Sequence, residues 1–114
     1  MAPPQTDVHA GHEVTSTVTE RDLDGVFIAS DLMVLGTLPV LLRAGSGVPS
    51  DVAVAGFDDN SAATACDPPL TTVRQPVEKM AAETARLLRK QIGEPGGPSP
   101  CVLFQPALVR RQSA

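Results

Sequence analysis

The chain has 114 residues, 42% hydrophobic and 19% charged, the composition of a globular protein with room for one small domain and not for two. Nine Lys and Arg against thirteen Asp and Glu leave a net charge of −4, so the chain lacks the positive potential that nucleic-acid phosphates attract. With three Phe and no Trp or Tyr, it also lacks stacking platforms for bases or sugar rings.

Residues 1–22 are polar and rich in Thr, Glu and Asp, which predicts a flexible or weakly helical N-terminal tail. The opening shows no charged start followed by an apolar run, and no segment approaches the roughly 18 apolar residues of a membrane span. His9 and His12 stand beside Asp7 and Glu13, but Gly11 between them and the polar surroundings argue against a fixed metal geometry. Cys66 and Cys101 match no ligand or redox pattern and are expected to be free thiols. Together these features predict a cytoplasmic product without a metal or other cofactor.

The pattern changes at Gly25. Residues 25–29 form a short continuous apolar run with β-formers, which predicts a parallel strand buried on both faces. Asp31 stands where a helix N-cap is expected, and the helical stretch 32–44 stops at Gly45. That stretch is apolar on every side, so one face is expected to cover the sheet and the other a second chain. Pro39 conflicts with it, because it removes a hydrogen bond to the Leu35 carbonyl in mid-helix. Gly45-Ser46-Gly47 follows a helix and precedes a strand, the reverse of a phosphate loop, and reads as a turn.

A second strand is predicted over 51–57 and is broken by Asp58-Asp59-Asn60, giving a βαβ unit with a right-handed crossover. Residues 70–74 read as a short strand, and Pro76 opens a helix at its permitted first turn. In that helix Val77, Met80, Ala81, Ala85, Leu88 and Ile92 make one apolar stripe ending at Gly93, with Glu83 and Arg86 on the solvated side. Residues 94–100 are a Pro/Gly linker, and 101–104 and 107–109 read as strand pieces broken at Pro106.

Ligands of open α/β sheets bind beyond the carboxyl ends of the strands, which puts Ser30-Asp31 and Asp58-Asp59 on one edge. A carboxylate there can accept from the vicinal hydroxyls of a sugar or the donors of a purine. Asp31 is expected to cap its helix, whereas Asp58 either starts a turn or contacts a ligand. No nucleophile elbow, Cys/His pair or split acid pair is present, so the chain is not expected to be an enzyme.

Four motifs in order carry a family resemblance: 24–36 (DGVFIASDLMVLG), 48–59 (VPSDVAVAGFDD), 68–76 (PPLTTVRQP) and 108–113 (LVRRQS). From about residue 22 to residue 113 the chain resembles the C-terminal part of LacI/GalR-type bacterial transcriptional repressors. The resemblance implies an α/β fold with a partial three-layer parallel sheet and flanking helices, like the C-terminal subdomain of a type I periplasmic-binding-protein-like fold. It implies that residues 23–114 are part of an effector-binding sensor domain, that the DNA-binding headpiece is not in this chain, and that the effector is a small sugar-like or purine-like molecule. Carried over residue by residue, Asp58 becomes an effector contact, with Ser30 beside it where the family has Asn. Met33, Leu35, Leu38, Ala62 and Cys66 fall on the family's dimer surface, and Arg74-Gln75 on a crossover between subdomains. A homodimer or a mixed dimer with a full-length regulator follows as the expected assembly, without direct nucleic-acid or membrane contact. A fragment of a sugar-binding transport protein of the same fold, or a small flavodoxin-like cofactor protein, are the competing readings.

Overall fold

The computed structural model describes residues 20–114. The expected tail at 1–22, except for its last three residues, and the His9 and His12 pair lie outside the described residues. Seven elements follow in the order β1 (Gly25–Phe27), α1 (Asp31–Arg43), β2 (Ala53–Asp58), α2 (Ser61–Ala65), β3 (Thr71–Arg74), α3 (Val77–Gly93) and β4 (Ala107–Val109). Their contacts divide the chain into two compact units, one reaching to Arg74 and taking in Leu108–Ala114, the other spanning Gln75–Ala107.

The first unit is built on the sheet, whose order is β1-β2-β3-β4. β1 pairs with β2 in parallel with Val26 opposite Val54, and β2 pairs with β3 in parallel with Asp58 opposite Arg74. The carboxyl ends of β1, β2 and β3 therefore share one edge. Side chains alternate along a strand, so Val26 and Ile28 point to the core while Phe27 points the other way and is 61% exposed. The expectation that β1 is buried on both faces is thus corrected: only one face has a cover among the described residues.

That cover is α1. Val34, Leu38 and Leu41 repeat at helical spacing and pack with Ile28, Val52, Val54, Ala63, Cys66 and Leu70 into one core. Leu35 and Leu42 lie on the outward face with Pro39, 39% and 47% exposed respectively. The outward position explains why α1 runs through Pro39 without a break. The carbonyl of Leu35, which loses its helical donor, lies on the side that water reaches.

Two sequence expectations about boundaries differ from the structure. The strand predicted over 51–57 begins only at Ala53, because the Asp51 carboxylate instead accepts from the Gly47 N–H at 2.6 Å and closes the preceding turn. Residues 101–106 form no strand, and only Ala107–Val109 joins the sheet. Beyond β4 the chain end is drawn in where β3 has not yet begun: the Val54 N–H donates to the Ser113 carbonyl at 2.8 Å, and the fully buried Ser113 hydroxyl donates to the Val54 carbonyl at 2.6 Å and accepts from the Thr71 N–H at 2.8 Å.

The second unit consists of α3 and the segment after it. α3 carries the predicted apolar stripe, yet none of its residues is buried, and Val77, Leu88 and Ile92 are 61%, 57% and 73% exposed. Glu83 and Arg86 pair on its solvated side, as their spacing predicts. Gln91 reaches Ser99 at 2.9 Å, and a cavity of about 300 Å³ lies between this end of the helix and residues 97–100.

Candidate ligand edge

The site begins with the end of β1. Ser30 has extended backbone angles and its hydroxyl accepts from the Leu32 N–H at 3.2 Å, while its carbonyl accepts from Val34. Ser30 is therefore the N-cap of α1, and the expectation that Asp31 caps this helix is corrected. Asp31 is the first helical residue, and its fully buried side chain has been captured elsewhere. Its Oδ2 accepts from the backbone N–H of Asp59 at 2.7 Å and of Asn60 at 3.3 Å, and its Oδ1 accepts from the Thr72 hydroxyl at 2.7 Å. A carboxylate with two acceptor oxygens can take these donors at once, whereas a cap would use only one of them.

The loop held by Asp31 is the one after β2. Asp58 and Asp59 have φ of 124° and 60°, backbone conformations that side chains other than glycine seldom adopt. Asn60 then caps α2, its Oδ1 accepting from the Ala62 N–H at 2.9 Å. Asp59 is fixed by two cations. Arg111 Nη1 lies 2.7 Å from its Oδ1 and Arg74 Nε lies 2.6 Å from its Oδ2. Arg111 also donates to the Leu70 carbonyl at 3.0 Å. The hydrogen bond from Arg111, followed by that from Arg74, holds the Asp59 carboxyl below its ordinary range, against the upward push of burial.

Close approach makes the arrangement possible. A Cβ on Gly56 would run into Asp31 Oδ1 and come within 2.8 Å of Leu70 Cδ2 and 3.4 Å of Val34 Cγ2, so only glycine leaves space for the buried carboxylate over β2. Cys66 lies in the same core, and burial, with the negative charge of Asp31, pushes its thiol up to about 11. Cys101 is exposed.

The structure thus brings Ser30, Asp31, Asp58 and Asp59 to one edge. The five residues expected on a dimer surface do not stay together. Leu35 is outward and Met33 is partly buried, whereas Leu38, Ala62 and Cys66 are 2%, 5% and 5% exposed. Leu38, Ala62 and Cys66 are corrected to interior positions, because Leu38 and Cys66 fill the gap between α1, α2 and the sheet and Ala62 is closed over beside them. Arg74 ends β3, and the boundary between the two units falls between it and Gln75, whose carbonyl accepts from Val77. Arg111 was not singled out by the sequence, since nothing in its neighbourhood along the chain points to an acid 52 residues away. Among the described residues no group of His, Cys, Asp and Glu has the arrangement of a metal site, and no helix is long and apolar enough to cross a membrane.

Comparisons with known proteins identify the family and the fold. The family described as Periplasmic binding protein-like domain matches residues 1–114. The chain is 41% identical over 106 residues to the HTH-type transcriptional regulator MalR of Streptomyces coelicolor, covering 93% of this chain and 31% of the regulator. It is 50% identical over 90 residues to the regulator CelR of Thermobifida fusca, covering 78% of this chain and 26% of CelR. Among solved structures, a complex of the regulator CelR with cellobiose superimposes with a TM-score of 0.84 at 40% identity, over 97% of this chain and 33% of that one. A LacI family regulator of Lactobacillus casei with bound sucrose gives 0.75 at 34% identity, over 99% of this chain and 41% of that one. The chain spans about a third of the length of the regulators it matches.

Proposed function

Since the chain belongs to the periplasmic binding protein-like domain family, with LacI-type transcriptional regulators as its relatives, we propose that it supplies the C-terminal side of a sugar-sensing cleft in such a regulator. One observation carries the reading: parallel β1 and β2 deliver Ser30 and Asp58 to the same edge, where the Asp59 N–H is bonded to Asp31 at 2.7 Å. The Asp58 carboxylate accepts from sugar hydroxyls, and the Ser30 hydroxyl, already accepting from Leu32, still has a proton to donate. The edge binds and performs no chemistry. The sugars bound in the structures of related regulators, cellobiose, sucrose and ribose, support a sugar as the class of effector.

Residues 23–114 act as the sensor part, and operator binding belongs to other parts of a regulator. Arg74 and Gln75 form the passage toward the other subdomain, with Arg74 tied to Asp59 next to the effector contact. The outward face of α1, with Leu35 and Leu42 one heptad apart and Met33 at its margin, meets a second copy or a full-length regulator. The setting is the cytoplasm.

Titration of the ¹⁵N-labelled chain with cellobiose, sucrose and ribose tests the proposal. Saturable shifts at the Ser30 and Asp58 amides with one of these sugars are expected, and Asp58→Ala removes them. Absence of any shift at these positions with all three sugars at millimolar concentration refutes it.

A further inference from the structure

The binding reading uses Ser30 and Asp58 and leaves the most deeply buried acid of the sheet edge without a part. We infer that Asp31 is the positioning residue of the ligand edge, setting the backbone of Asp58 from inside the protein without touching the effector. The inference rests on the reading that Asp58 meets the ligand, and it names what gives Asp58 its orientation.

The argument runs through the partners of the carboxylate. Asp31 is wholly buried, and the donors that answer it are neutral: the N–H groups of Asp59 and Asn60 and the hydroxyl of Thr72. Two of these three belong to the loop that carries Asp58. That residue is held from both sides, by the register with Arg74 on β3 and by the Asp59 N–H fixed on Asp31, and between these anchors its φ is 124°. A non-glycine residue keeps such a conformation only where its surroundings impose it, and the bond on the next amide is the buried constraint, beside the exposed-side hold of Arg74 and Arg111 on the Asp59 carboxylate. Thr72 orients the carboxylate in turn, since its hydroxyl takes Oδ1 and leaves Oδ2 turned to the loop. Gly56 completes the device by giving Oδ1 space over β2.

An acid is needed here because both oxygens accept. In Asp31→Asn one of the two positions becomes an NH₂, which either faces the N–H groups of the loop or forces the Thr72 hydroxyl to reverse its role. Thr72→Val removes the orienting hydroxyl but keeps the volume of the side chain, and Thr72→Ser keeps the hydroxyl.

The test measures amide hydrogen exchange and cellobiose affinity on the 114-residue chain and its variants. Asp31→Asn is expected to lower protection of the Asp59 and Asn60 amides, spare the ladder amides of β2 and β3, and weaken cellobiose binding about tenfold or more. Thr72→Val moves both readouts in the same direction and Thr72→Ser restores them. Val52→Ala, in the core just before β2 begins, lowers stability without changing affinity, which separates positioning from general destabilisation. Wild-type affinity in Asp31→Asn, or unchanged Asp59 and Asn60 protection in Thr72→Val, overturns the inference. Should Asp31→Asn fail to fold, the Thr72 pair decides by itself. Should the wild-type chain bind sucrose or ribose and not cellobiose, that sugar replaces cellobiose in the affinity readout; should it ignore all three, the sugar reading is what fails, and the exchange pattern alone then decides whether Asp31 sets the loop.

Discussion

Replacing Gly56 by Ala adds one methyl group at the most crowded point of the first unit. The new Cβ meets Asp31 Oδ1 and stands 2.8 Å from Leu70 Cδ2, closer than carbon atoms tolerate, with Val34 Cγ2 at 3.4 Å behind it. Leu70 and Val34 are fully buried and cannot swing away into solvent. Overpacking of this kind costs about 1–3 kcal/mol. If the Asp31 carboxylate moves instead, it leaves the N–H of Asp59 or the hydroxyl of Thr72 unanswered, at about 1–3 kcal/mol for a buried group. Against this stands a gain of about 0.4–1 kcal/mol from the stiffer unfolded chain. The net expectation for Gly56→Ala is a loss of about 1–2 kcal/mol, or roughly 4–16 °C in Tm for a unit of this size. Urea unfolding followed by circular dichroism, wild type against variant, measures it. A difference below about 0.5 kcal/mol would mean that the carboxylate has room to spare and would refute the packing argument.

Other consequences are open to equally direct measurement. Leu38→Ala is expected to destabilise the chain by about 2–5 kcal/mol, because Leu38 is a core residue, whereas Leu35→Ala leaves unfolding nearly unchanged and weakens self-association in sedimentation equilibrium. Asp59 has its pKa lowered in the folded state by Arg111 and Arg74, so the unfolded chain binds its proton first as pH falls. Its contribution to stability is complete above its ordinary value near 3.8 and is lost as pH drops below it through the folded value. Urea midpoints at pH 5 and pH 3 should therefore converge more in Asp59→Asn than in wild type. Iodoacetamide at pH 8 should modify Cys101 and spare Cys66 until the chain unfolds, since Cys66 is buried with a thiol pKa of about 11, and peptide mass spectrometry reads the difference.

The succession of strand, helix, strand, strand and long helix could be read from the amino acids alone. Runs such as 25–29 and 52–57 carry β-formers without polar interruption, and glycine or proline marks their limits, so short-range chemistry specifies them. The common edge of Ser30 and Asp58 was legible for the same reason, because parallel strands joined by a helix must end on one side. Tertiary structure alone decided what each acid on that edge does. Ser30 and Asp31 are adjacent and both suit a cap. The choice between them falls to Asp59, Asn60 and Thr72, which reach Asp31 from 28, 29 and 41 residues away. Likewise Leu35 and Leu38 are alike as residues, and their different faces follow from which one meets the sheet. Arg111 finds Asp59 only because the end of the chain folds back beside β2 and β3. Local sequence determines where elements form, since propensity and patterning act over a few residues. The partners of a buried charge are chosen by chain segments that the folded packing brings together.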